Sequence, residues 1–193
     1  MSDLTVSCRR AVEKVHSESS TAKWVIDADT TYEFRGKFFA PFVDILCIFL
    51  NNAIEHSGIH KMEQLQISIS IFELNEQGVE KYRKLGGFKG LSSEKQFFEM
   101  KVTNTLNPSL SQEDLEAKLD KTFEKIRRGA NVQELIQGEG GSGLYKLCNI
   151  AQYSIETEYL VTYEINADTA SFAYCFSANT LIYKEVIDED IID

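Results

Sequence analysis

Three places in the chain carry residue types whose positions could do chemistry. The run Gly138–Leu144, GEGGSGL, holds glycines at 138, 140, 141 and 143. Without Cβ atoms, backbone N–H groups there can close on an anion such as phosphate. A helix with Leu144, Leu147, Cys148 and Ala151 inward follows directly and adds the positive end of its dipole. The run has neither the GxxxxGK[ST] spacing of a P-loop nor the preceding strand of a dinucleotide fingerprint. Asn52 is the second place. At 100° per residue it lies on the border between the apolar and solvent faces of a helix, with Ile48 and His56 beside it and Glu55 just outward. Asn is a poor helix former. Its carboxamide oxygen could ligate Mg²⁺, a hard cation that takes a few protein oxygens plus phosphates. Spacing alone favours the plainer alternative, a hydrogen bond to a neighbouring loop. The third place is Asn104, which continues the core-facing parity of Phe98, Met100 and Val102. A buried carboxamide at a strand end needs partners. Either it caps the following turn, or it faces a pocket where its oxygen could accept from an adenine amino group.

The elements that must position these residues follow from periodicity. Leu4, Cys8, Ala11, Val12 and Val15 predict a helix over 4–18, and Lys23–Asp27 and Thr31–Phe34 read as strands. Phe42, Ile45, Leu46, Phe49, Leu50, Ala53 and Ile54 predict a helix from Pro41 to about Ser57, with Pro41 in its first turn and Gly58 ending it. Leu65–Leu74 alternates as a half-buried strand. Residues 75–95 contain four glycines and little periodicity, so they read as a long excursion. Gln96–Asn104 is a strand. Ser111 then caps a charged helix, with Asp114 at the N3 position. Its narrow seam of Leu115, Leu119, Phe123 and Ile126 predicts a solvated surface helix that Gly129 stops. The glycine run opens a helix from Gly143 to about Gln152. Two alternating strands follow, joined as a hairpin by residues 166–169, and the chain ends in the acidic run VIDEDIID.

At 193 residues, 43% hydrophobic and 26% charged, the chain is large enough to bury a core of its own. A net charge of -10 opposes the basic face that nucleic-acid binding needs, so no nucleic-acid partner is expected. Cys8, Cys47, Cys148 and Cys175 form no CxxC pair, which argues against a zinc site, and a disulfide framework is unnecessary at this size. No apolar stretch reads as approaching the roughly 18 residues of a membrane span, and Met1–Val6 lacks the order of a signal peptide. A cytoplasmic protein with no membrane segment in this chain is the expectation.

The order of the three parts resembles the GHKL, or Bergerat, ATP-binding fold of DNA gyrase B, Hsp90, histidine kinases and MutL. In character it is nearest to the histidine kinase-like ATPase domain. NNAIEH (51–56) resembles the N box, with Asn52 at the position that binds Mg²⁺. FFEMKVTNT (97–105) resembles the G1 strand, with Asn104 where most members place the adenine-reading Asp. GEGGSGLYKL (138–147) resembles the G2 box, whose last glycines and helix N-terminus hold phosphates. The resemblance covers about residues 23–178. It implies an α+β fold, a two-layer α/β sandwich whose mixed, mostly antiparallel sheet carries helices on one face. Around it the chain divides into a helical extension (1–22), the ATP-binding domain (23–180, with a lid at about 105–142) and an acidic tail (181–193). The implied ligands are ATP and Mg²⁺. Asn52, Glu55, His56, Asn104, Gly138, Gly140, Gly141, Ser142, Gly143, Leu144 and Lys146 would hold them, the metal sitting on Asn52. Lys146, Arg127 or Arg128 would neutralise phosphate charge.

The sequence also departs from that pattern. Hydrolytic members place a Glu four residues before the magnesium Asn as general base. Ile48 stands there instead and can take no proton, so fast gyrase-type hydrolysis is not expected. Any turnover would be kinase-type phosphotransfer. Thr105 and Leu106 replace the DxGxG glycines of G1. His16, the one upstream His, is a poor phospho-acceptor, so the acceptor is expected on another domain or protein, and a homodimer is allowed. The chain then reads as the nucleotide-binding part of a larger signalling or regulatory protein. Three alternatives stand beside this: a non-catalytic nucleotide sensor or interaction module, a serine kinase like the anti-sigma factors (which share the NAxxH pattern at Asn52–His56), and a scaffold that binds no nucleotide.

Overall fold

Ile67, Ile69 and Ile71 alternate with Ser68 and Ser70, and that alternation sets up one apolar sheet face. The strands are β1 (Lys23–Ala28), β3 (Gln66–Glu73), β4 (Phe97–Thr105), β5 (Tyr159–Ile165) and β6 (Thr169–Ser177), arranged in the order β1-β3-β4-β6-β5. β1 and β3 are parallel, and the other neighbours are antiparallel. The β5–β6 hairpin closes with Asn166 N–H donating to Thr169 O at 2.8 Å. A separate ribbon pairs β2 (Tyr32–Phe34) with β7 (Leu181–Tyr183), so the first residues of the segment read as a tail are a strand. The computed structural model describes residues 4–15, 22–29, 31–85, 96–127, 142–155 and 158–183. Gly138, Gly140, Gly141, Arg128, Gly129, His16 and the run from 184 onward lie outside these residues.

Three helices cover the apolar face. α2 (Gly36–His56) runs along it and buries Phe38, Phe42, Val43, Ile45, Leu46, Phe49, Leu50 and Ala53. Phe42 anchors an aromatic stack, 4.1 Å from Phe34 and 4.6 Å from Phe176 between ring centroids. α1 (Leu4–Val15) lays Leu4, Cys8 and Ala11 into the same core, and Lys14 reaches Asp44 of α2 at 3.0 Å. α5 (Ser142–Asn149) brings in Leu144 and Leu147, and it continues as a π-helical segment over Ile150–Ile155. The fold is the expected mixed α+β sandwich, with the difference that one short helix packs on the other face of the sheet.

Three expectations are corrected. α2 begins at Gly36 rather than Pro41, which lies inside the helix. Helical geometry is tolerated there because a proline removes one hydrogen bond, near an end where Phe38 N–H already turns back to Arg35 O at 2.7 Å. The stretch 75–95 is not all excursion: α3 (Glu76–Lys84) forms on an Asn75 cap whose side chain accepts from Gly78 N–H at 2.9 Å. α3 lies on the opposite face of the sheet, where Tyr82 packs with Phe97, Leu160 and Cys175 and donates to the Glu99 carboxylate. Burial raises the Tyr82 hydroxyl and the Cys175 thiol well above their usual ranges, so both stay protonated. Finally, α2 is long and apolar enough, with a mean hydropathy of 1.5 over its richest window, to cross a membrane by length and composition. In this fold the apolar stripe that produces that hydropathy faces the sheet.

Candidate functional site

The last turn of α2, the end of β4, the β5–β6 hairpin, α4 (Gln112–Arg127) and the start of α5 converge on one cavity of about 300 Å³. Asn52, Glu55, His56 and Gly58 line it from α2 and its exit, Asn104 from β4 and Leu144 from α5. Leu106, Leu110, Leu115 and Leu119 form apolar walls, and Ile165, Ala170 and Phe172 come from the hairpin. Phe172 is backed by Phe49 of α2, whose ring is stacked on it at 5.8 Å. A mostly apolar cavity with a few convergent polar groups suits an aromatic ring carrying a polar tail.

Helix geometry explains Asn52. Its Nδ2 donates to the carbonyl of Ile48 at 2.8 Å, within its own helix rather than to the neighbouring loop that spacing favoured. That bond engages the amide nitrogen, and among the described residues no hydrogen bond reaches Oδ1, a hard oxygen of the kind a magnesium ion shared with phosphate oxygens takes. Gly143 sits directly against it. A Cβ at 143 would lie 3.5 Å from Asn52 Nδ2 and 3.4 Å from Ile48 Cγ2, so the start of the glycine-led helix and the N-box residues share one corner. Ile48 fills the position next to Asn52 with a methyl group.

Asn104 is 2% exposed at the end of β4. Its Nδ2 donates to Thr105 O at 2.8 Å, which again turns Oδ1 into the available acceptor. Of the two alternatives read from sequence, the structure shows the residue lining the cavity, while its amide bonds to the last strand residue and not to the turn beyond.

Gly58 ties the two ends together. It has φ +66°, a conformation that favours glycine, and a Cβ there would come within 2.8 Å of Leu110. Its carbonyl accepts from Asn107 Nδ2 at 2.8 Å, and Ser57 O accepts from Asn107 N–H at 2.8 Å. The exit of α2 is thus fastened to the loop that follows Asn104.

The remaining candidates divide. Lys146 is exposed on α5 and does not line the cavity, and of Ser142 and Arg127 only the helical backbone is described. Gly138, Gly140 and Gly141, as stated, lie outside the described residues. The sequence reading missed the wall given by α4. Ser111 caps this helix as expected, with Asp114 N–H donating to Ser111 Oγ at 3.2 Å. The helix is nevertheless docked and not simply solvated. Phe123 is buried at 5.1 Å from the Tyr163 ring, the Tyr163 hydroxyl donates to Asp120 at 2.6 Å, and Gln112 Nε2 donates to Ile165 O at 3.2 Å. Leu115, Lys118, Leu119 and Thr122, spaced at i, i+3, i+4 and i+7, face the cavity together. That spacing was visible in the sequence, but charge on the other faces masked it. Behind α5, burial pushes the Cys148 thiol up to about 12, so it acts as a small apolar side chain.

No protein-family model matches the sequence, and no curated protein sequence is significantly similar to it. Solved structures are similar in fold. The histidine kinase AdeS of Acinetobacter baumannii superposes with a TM-score of 0.52 at 13% identity, over 92% of this chain and 66% of that one. The catalytic domain of the histidine kinase ThkA, in a nucleotide-free form, superposes with a TM-score of 0.51 at 15% identity, over 91% of this chain and 93% of that domain. This chain therefore spans just under two thirds of AdeS and nearly all of the ThkA domain. It has the histidine kinase-like, or Bergerat, fold.

Proposed function

We propose that this chain binds ATP with Mg²⁺ and forms the nucleotide-binding part of a larger signalling or regulatory protein. The observation that carries the reading is the convergence of Asn52, Asn104 and the Gly143 helix start on one cavity, although 91 residues separate the first from the last in sequence. In this reading the base lies between the leucine walls and Phe172. Asn104 Oδ1 accepts from the adenine amino group, a reading supported by the residue lining the cavity with its Nδ2 already engaged by Thr105 O. Asn52 Oδ1 holds the metal, which supplies charge neutralisation for the phosphates. The N-terminus of α5 and the glycines before it cradle those phosphates.

Ile48 supports a kinase-type domain over a hydrolase, because the corner beside Asn52 offers a methyl group where a water-activating base would be needed. The phospho-acceptor is supplied by a partner domain or protein, and the setting is cytoplasmic. Two measurements test the reading. ATP with Mg²⁺ raises the melting temperature of the wild type, and Asn52→Ala removes the Mg²⁺-dependent part of that rise. A flat titration to millimolar ATP sinks it. Incubation with γ-labelled ATP and candidate partners then separates transfer from sensing, since the non-catalytic sensor requires that no protein become labelled.

A further inference from the structure

The cavity is charged unevenly. Among the described residues, Glu55 is the one carboxylate lining it and Lys118 the one lysine or arginine. They stand on different helices, α2 and α4. Both are exposed, and neither has an ion-pair partner among the described residues, including each other. Two opposite charges that border one pocket yet stay apart leave room for something that satisfies both. Glu55 also follows Asn52 by three residues, which puts its carboxylate and the free Asn52 Oδ1 on the same side of the helix. A neutral carboxamide alone is a weak protein share of a Mg²⁺ shell, which usually includes one or two carboxylates beside phosphate oxygens.

We propose that Glu55 is a second protein ligand of the metal and that Lys118 anchors the phosphates, so that the cavity takes a nucleotide only in a fixed orientation. The metal lies toward α2, and a phosphate oxygen lies toward α4. This rests on the nucleotide reading above and adds to it a role for each charge. It also makes a prediction that a bare anion site does not. Without metal, Glu55 repels the triphosphate. With metal, it holds the complex. Metal dependence is thereby written into one side chain.

Calorimetric titration of the full chain with ATP, once in EDTA and once with excess Mg²⁺, tests this in the wild type, Glu55→Gln and Lys118→Met. Glu55→Gln is expected to bind ATP about fivefold tighter in EDTA, the size of one like-charge contact near a protein surface, and to lose most of the gain that Mg²⁺ gives. Lys118→Met is expected to bind about fivefold more weakly in both conditions and to keep the Mg²⁺ gain. Electron paramagnetic resonance with Mn²⁺ and ATP gives a second readout. Glu55→Gln weakens Mn²⁺ retention in the ternary complex, and Lys118→Met leaves it intact once ATP saturates. An unchanged Mg²⁺ gain in Glu55→Gln overturns the proposal while the nucleotide reading stands. Equal losses in both variants overturn it as well. A wild type that binds ATP in neither condition overturns the nucleotide reading and this proposal together. Both side chains are exposed, so superimposable circular dichroism melts of the three proteins are expected.

Discussion

α2 and α4 line the same cavity and are built on different terms. α2 commits a whole apolar face to the sheet, and only its last turn, Asn52 to His56, reaches the site. α4 commits Leu115, Leu119 and Phe123 to the sheet edge and cavity wall and leaves the rest of its surface charged. One helix is therefore core that ends in a site, and the other is a site wall with a thin attachment. The difference separates what keeps the protein folded from what tunes its ligand.

Four substitutions probe that division. Phe42→Ala empties the centre of the aromatic stack and is expected to cost about 3–5 kcal/mol in chemical denaturation. A loss below about 1 kcal/mol would mean that α2 is as dispensable as a surface helix. Gly58→Ala forces a side chain into a left-handed conformation against Leu110, at an expected cost of about 1–2 kcal/mol. Because the same residue fastens α2 to the loop after Asn104, ATP affinity should fall as well, and unchanged affinity would uncouple the two. If the thin attachment lets α4 open locally before the rest, Phe123→Ala moves global stability by less than about 1 kcal/mol, although the same truncation in a rigid core costs about 3–5 kcal/mol. Hydrogen exchange should then show protection lost over 112–127 with α2 unchanged, whereas loss across both helices would erase the distinction. Tyr163→Phe removes the hydroxyl bond to Asp120, worth about 0.5–1 kcal/mol at most in this exposed setting. It should appear in α4 exchange rates before it appears in any melting curve.

The same contrast explains what was legible in the sequence. α2 and the strands were readable because burial on one face imposes a period, and Ile67, Ile69, Ile71 or Phe42, Ile45, Phe49 keep it without interruption. Asn104 stood out as a polar residue at a core-facing position and Asn52 as a poor helix former on the border of an apolar stripe, and both line the cavity. α3 was hidden because it buries only Tyr82 and its start depends on an Asn75 cap amid glycine-rich sequence. Lys118 was hidden for another reason. One lysine among nine charged positions on α4 carries no mark until the fold sets its neighbours Leu115 and Leu119 against the hairpin. The walls given by Ile165 and Ala170 belong to the same class, ordinary strand residues that gain a role from topology alone.

The β2–β7 ribbon has a consequence in time. Phe34 pairs with Leu181, and Arg35 donates from its backbone to Thr180 O at 3.0 Å and from Nε to Leu181 O at 3.2 Å. These contacts join residues nearly 150 positions apart, and the entropy of closing so large a loop must be met before they give anything back. The clasp is therefore expected to form late, after α2 has found the sheet. Substitutions in it, such as Leu181→Ala, should speed unfolding and leave the folding rate almost untouched. If unfolding speeds up in this way, the ribbon is a latch on the lifetime of the folded state and of the cavity at the other end of α2.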